Sequence, residues 1–200
     1  MKRQVVVIDG GESFDTYKDY LTYLKNVEVS LDKFKPLKDW KDTLSNKLGK
    51  NFEVLLLRMP NKTNARYIEW KIWFERVIPL LRNGVILIGH SLGGMFLAKY
   101  LSTNYFPKTI KATILVAAPY EGDVKKESLS EFKLPFSLSN LSKQAGIIYI
   151  IHSKDDPVVA FEQADKYKRV LPSAKTLIFK NRGHFNQETF PEIVKLTTTL

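Results

Sequence analysis

The stretch Gly84 to Met95, GVILIGHSLGGM, constrains this chain most, because an apolar run ends in a serine set between glycines. Val85, Ile86, Leu87 and Ile88 are β-favouring and apolar at consecutive positions, the pattern of a strand buried on both faces of a parallel sheet. Gly89-His90-Ser91-Leu92-Gly93 then matches G-x-S-x-G, in which a sharp turn lifts the serine hydroxyl above the strand end. A side chain two residues to either side of Ser91 would collide with the crowded strand and helix. Met95 to Leu101 continues without Gly or Pro, as a helix requires. A pattern with so few set positions also recurs by chance, so its weight comes from this strand, elbow and helix context. Ser91 is the candidate nucleophile.

Apolar runs at Val5–Ile8, Val54–Leu57, Ala112–Ala117, Ile147–Ile151 and Thr176–Phe179 predict further strands, for about six in all. Helical spacing separates them. Ser13 is a candidate cap for a helix carrying Phe14, Tyr17, Tyr20, Leu21 and Leu24 on one face. Tyr67, Trp70, Trp73, Phe74, Val77 and Leu81 predict a second helix with its aromatics in the core, and further helices are expected over Ala160–Leu171 and Glu192–Leu200. Strands alternating with helices imply a three-layer α/β/α domain with a mainly parallel sheet, whose ligands bind beyond the carboxyl ends of the strands. No internal repeat or linker divides the chain, so residues 1–200 read as one domain.

Two segments fit this alternation less well. Over Val27 to Lys50, three- and four-residue apolar steps interrupted by Pro36 suggest an extended piece and a helix from Leu37 to Leu48 ended by Gly49. This region could cover the sheet or form a pocket rim. Residues 121–143 mix charge, serine and Pro135 with exposed-looking Phe132, Leu134, Phe136 and Leu138. They fit either a mobile cap over the strand ends or an irregular surface connection.

Composition removes several classes of function. The chain has no cysteine, which excludes disulfides, thiolate catalysis and cysteine-based zinc sites. No apolar run approaches the ~18–20 residues of a membrane span, and the start lacks a signal-peptide core, so a soluble cytoplasmic protein is expected. The formal net charge of +10 raises the question of nucleic acid. Its lysines are interleaved with Asp32, Asp39 and Asp42 or scattered between elements, so a solvated basic surface is expected and no nucleic-acid partner.

A serine hydroxyl needs an imidazole to take its proton and a carboxylate to orient that imidazole. Of three histidines, His90 lies inside the elbow and His152 ends a strand, and both read as structural. His184, in NRGHF after the last strand, is the candidate base. HSKDDPVV, at residues 152–159, supplies two carboxylates between Ser91 and His184. Asp156, directly before the Pro-Val-Val turn, is assigned the orienting role, with Asp155 as the alternative and turn formation as the plain role of either.

With these motifs in order, the chain resembles the α/β-hydrolase superfamily. IDGG, GHSLGG, HSKDDPVV and GHFN together resemble the small serine-hydrolase group that includes retinoblastoma-binding protein 9. The resemblance spans most of the chain. It implies Ser91 as nucleophile, Asp156 as acid and His184 as base, with no metal or cofactor. Asp9-Gly10-Gly11 departs from the usual His-Gly after the first strand; the Gly11 and Leu92 N–H groups are the expected oxyanion donors. The retinoblastoma-binding motif needs a cysteine, so that partner does not carry over. The expected activity is that of a carboxylesterase on small or short-acyl ester substrates. Thioesterase, amidase and acyltransferase chemistry use the same triad, and a non-catalytic binding protein of the same fold is the alternative from another class.

Overall fold

The computed structural model describes residues 2–34, 38–122 and 129–200. Its strands are β1 (Arg3–Ile8), β2 (Phe52–Leu57), β3 (Val85–His90), β4 (Ile110–Val116), β5 (Ile147–Ser153) and β6 (Lys175–Phe179). They form one sheet in the order β2-β1-β3-β4-β5-β6, with every neighbouring pair parallel. The helices are α1 (Tyr17–Asn26), α2 (Trp40–Leu48), α3 (Tyr67–Val77), α4 (Leu92–Thr103), α5 (Ser139–Gln144), α6 (Glu162–Val170) and α7 (Pro191–Thr199). This is the three-layer α/β/α sandwich expected from the alternation of elements.

Alternate residues of each central strand feed opposite cores, as the two-residue period of a strand dictates. Val6, Ile8 and Leu87 pack with Trp70 and Phe74 of α3 and Phe96 of α4. Val5, Val7, Ile86 and Ile88 pack with Trp40 and Leu44 of α2 and Ile193 of α7. All six residues of β3 are buried, which accounts for its unbroken apolar run. The chain leaves β1 for β2 on one side, while β3 pairs with β1 on the other. The carboxyl ends of β1 and β3 therefore lie side by side where the strand order reverses, the position at which α/β sheets hold ligands.

Several expectations change. The first helix is capped by Thr16 rather than Ser13, because Thr16 and Asp19 form a reciprocal capping box. None of its residues is buried, and Tyr17, Leu21 and Leu24 face solvent, so the periodicity there does not mark a core face. Trp73 is likewise exposed, while Trp70 and Phe74 are fully buried. β2, expected to be a buried strand, is half-buried along most of its length because it is an edge strand with one neighbour.

In the 27–50 region a 3-10 turn spans Leu31–Phe34 where an extended piece was expected. Pro36 and Leu37 lie outside the described residues, and the helix starts at Trp40, capped by Asp39. The exposed reading of Phe132 and Leu138 is also corrected: both are buried, and they join Leu129 and Leu141 in the core beside α4. Phe132 packs edge-on against Trp70 with ring centroids 5.1 Å apart. Phe136 is fully exposed as expected. Residues 123–128 of the suggested cap lie outside the described residues.

Candidate active site

The turn from β3 into α4 forces Ser91 into a left-handed backbone conformation, φ 53° and ψ −126°. Such a conformation costs roughly 1–3 kcal/mol in a residue other than glycine and persists only where its surroundings hold it. Here the Ser91 N–H donates to the Val116 carbonyl at 2.8 Å, and its carbonyl accepts the Gly94 N–H at 2.9 Å. The flanking glycines are required by close approach. A Cβ on Gly89 would lie 2.5 Å from the Gly93 carbonyl oxygen, and one on Gly93 would strike the carbonyl of Ile8.

Opposite the elbow, the loop after β6 carries His184 between two residues of positive φ, Gly183 at 52° and Phe185 at 55°. The His184 Nδ1 lies 2.9 and 3.0 Å from the two Asp156 oxygens. The Asp156 side chain is fully buried. Its Oδ1 also accepts the N–H groups of Val158 and Val159, at 2.8 and 2.9 Å, so its plain role in turn formation is fulfilled together with its contact to His184. Burial pushes the Asp156 carboxyl up; the His184 hydrogen bond and charge and the two N–H groups outweigh it, leaving the pKa below its ordinary value. Asp155 faces elsewhere and accepts from the Ser153 hydroxyl and the Gly183 N–H, which tie the β5 and β6 loops together.

Ser91 and His184 line one cavity of about 300 Å³, together with Gly10, Gly11, Val158 and Asn186. Gly10 is the residue of the β1 loop that abuts the serine: a Cβ there would lie 2.9 Å from the Ser91 Cβ. The Gly10 N–H is occupied by Asp9 Oδ1 at 2.8 Å. Among the described residues neither the Gly11 N–H nor the Leu92 N–H meets an intramolecular acceptor.

A charged group unforeseen from the sequence borders this cavity. Asp9, at the end of β1, meets Lys62 at 3.1 Å and the buried Lys41 of α2 at 3.1 Å. Burial raises the Asp9 carboxyl, but the Lys41 and Lys62 ammonium groups beside it hold it well below the usual carboxylate range. The departure DGG was the only signal for Asp9, and Lys41 carried none, being one lysine among many. His90 and His152 are both buried. The His152 Nε2 meets the Val159 carbonyl at 2.9 Å, where it holds the loop bearing Asp156.

The family model described as serine hydrolase matches residues 33–195. The chain belongs to the serine hydrolase family. Serine hydrolase RBBP9 of Rattus norvegicus is 26% identical over 151 residues, covering 74% of this chain and 78% of the relative. The ydeN gene product of B. subtilis shares the fold with a TM-score of 0.78 at 20% identity, over 99% of this serine hydrolase and 98% of that chain. A carboxylesterase structure from the ammonia-oxidizing thaumarchaeon Nitrososphaera gargenis superposes with a TM-score of 0.60 at 15% identity, over 99% and 89% of the two chains.

Proposed function

We propose that this serine hydrolase is a carboxylesterase acting on small or short-acyl esters, with Ser91 as nucleophile, His184 as general base and Asp156 as the carboxylate that orients it. The observation that carries the reading is the buried Asp156 carboxylate on His184 Nδ1, with His184 and the strained Ser91 lining one cavity. A carboxylate on Nδ1 holds that nitrogen protonated and leaves Nε2 bare to accept a proton. In the proposed reaction His184 takes the Ser91 hydroxyl proton as Oγ attacks the ester carbonyl. The oxyanion is received by the Gly11 and Leu92 N–H groups, each worth about 100-fold or more in rate. His184 then protonates the departing alcohol. Water, activated by the same imidazole, releases the acid and restores Ser91.

The cavity of about 300 Å³ is at the small end for ligand sites, which supports short acyl or alcohol groups over long chains. The test is hydrolysis of nitrophenyl acetate, butyrate and decanoate, with fluorophosphonate labelling of the wild type and of Ser91→Ala. Labelling and acetate turnover that vanish in Ser91→Ala are expected. Folded wild-type protein that takes no label would point to a non-catalytic binding role, and faster turnover of decanoate would remove the short-acyl preference. A matched thioester panel separates esterase from thioesterase action.

A further inference from the structure

We infer that α2 is the clamp that positions the general base, with Lys41 holding His90 in the tautomer that grips the His184 backbone. This role rests on His184 being the base, as proposed above. Four contacts join the first turns of α2 to the loop bearing His184. The Trp40 indole N–H donates to the Phe185 carbonyl at 2.9 Å, and the Trp40 backbone N–H donates to the Gln187 carbonyl at 2.9 Å. The Thr43 hydroxyl donates to the Glu188 carbonyl at 3.1 Å. The fourth contact runs through the elbow: Lys41 Nζ lies 3.4 Å from His90 Nδ1, and His90 Nε2 lies 2.7 Å from the His184 carbonyl oxygen.

The carbonyl oxygen of His184 can only accept, so His90 Nε2 must carry the hydrogen. In a neutral ring Nδ1 is then a bare acceptor. Three charged or titratable groups face the His90 ring: Lys41 from α2 and Asp9 from β1 at Nδ1, and His184 itself, whose ring centroid is 4.9 Å from that of His90. While Nε2 keeps its hydrogen, Asp9 Oδ1, at 3.4 Å, could bond Nδ1 only if the ring were an imidazolium. Burial, the largest influence, lowers the His90 pKa; Lys41 and His184 add to it and Asp9 opposes it. The Lys41 ammonium has three protons and three acceptors around it, Asp9 at 3.1 Å, Asp39 at 2.5 Å and His90 Nδ1.

The clamp has strain to hold. Phe185 is fully buried at φ 55°, directly after His184, and its carbonyl is the one bonded by Trp40. Releasing the His184–Phe185 peptide would let the imidazole drift from Ser91, and a displacement of about 1 Å can cost about 100-fold in rate.

The experiment reads tautomer and turnover together. Two-bond proton–nitrogen spectra of the labelled wild type should show His90 as the neutral Nε2–H form; an Nδ1–H form would overturn the proposal without any variant being needed. Lys41→Met keeps the aliphatic stem but leaves Asp9 facing Nδ1, so the neutral His90 ring should move its hydrogen to Nδ1, leaving Nε2 bare against the His184 carbonyl, and kcat should fall roughly 10- to 100-fold with KM little changed. His90→Gln, whose amide can still reach the His184 carbonyl, should retain most of the kcat that His90→Phe loses. Trp40→Phe, which removes only the indole donor, should lower kcat in the same sense. Fluorophosphonate labelling of the wild type separates the two readings. Labelled wild type with unchanged kcat in Lys41→Met and His90→Phe overturns the clamp alone, whereas no labelling of folded wild type overturns the hydrolytic site and the clamp with it.

Discussion

The two carboxylate oxygens of Asp156 lie 2.9 and 3.0 Å from His184 Nδ1, reaching across 28 residues from one strand end to the next. This contact determines which imidazole nitrogen is left free, and it leads to the first prediction. Asp156→Asn keeps the shape and can still cap the 158–159 turn, but it can present an N–H to Nδ1 and favour the wrong tautomer. The expected result is a fall of about 10³- to 10⁴-fold in kcat on nitrophenyl acetate with a near-native circular dichroism spectrum. A loss smaller than tenfold would move the orienting role to another carboxylate, with Asp155→Asn as the comparison.

Acid stability should depend on the same group. The Asp156 carboxyl has a lowered pKa in the folded protein, whereas the unfolded chain has the ordinary value of about 3.9. The unfolded chain therefore binds the proton more readily, so this contribution is complete above the unfolded value and is lost as pH falls through the folded one. Urea unfolding at a series of acid pH values should show a shallower decline for Asp156→Asn than for the wild type. Parallel declines would mean that Asp156 is not linked to folding.

Elbow crowding makes Gly93→Ala a sharp test of backbone approach. A methyl group there would strike the carbonyl oxygen of Ile8 and lie 2.6 Å from that of Asp9, both main-chain atoms with little freedom to move. The substitution should destabilise the protein by about 4 kcal/mol or more, or prevent folding. Gly122→Ala, where no other described residue lies within 4 Å, should change the melting temperature little. Similar melting of the two variants would contradict the close packing of β1 against the elbow.

The segment after residue 128 can be tested by two phenylalanines. Phe132 is fully buried against Trp70 and Tyr67, while Phe136 projects into solvent. Phe132→Ala should cost about 3–5 kcal/mol and Phe136→Ala no more than about 0.5 kcal/mol by chemical denaturation. Equal small effects would restore the reading of this segment as a loosely attached cap.

Legibility in the sequence followed the range of the interactions involved. The central strands were legible because a strand buried on both faces needs an unbroken apolar run, and β3 is such a strand. Edge strand β2 carries a similar run, FEVLLL, yet is half-buried, since composition does not say how many neighbours a strand has. Tyr17, Leu21 and Leu24 show the same limit in a helix: their spacing places them on one face, but whether the fold covers that face is a tertiary matter.

The chain's own order of residues determined the elbow, because the turn at Ser91 is a local steric problem that only small residues at Gly89 and Gly93 solve. It also determined the alternation that makes a parallel α/β sheet, and it placed His184 and the Asp155–Asp156 pair at strand ends. The sequence favoured Asp156 over Asp155 only by its place before the Pro-Val-Val turn; tertiary structure turns Asp156 to His184 and Asp155 to the Gly183 N–H. It alone brought Lys41, Asp9 and His90 together from three distant segments. Local patterns are set by sterics and burial over a few residues, whereas a buried charge finds its partners only when the sheet order has fixed which strand ends are neighbours.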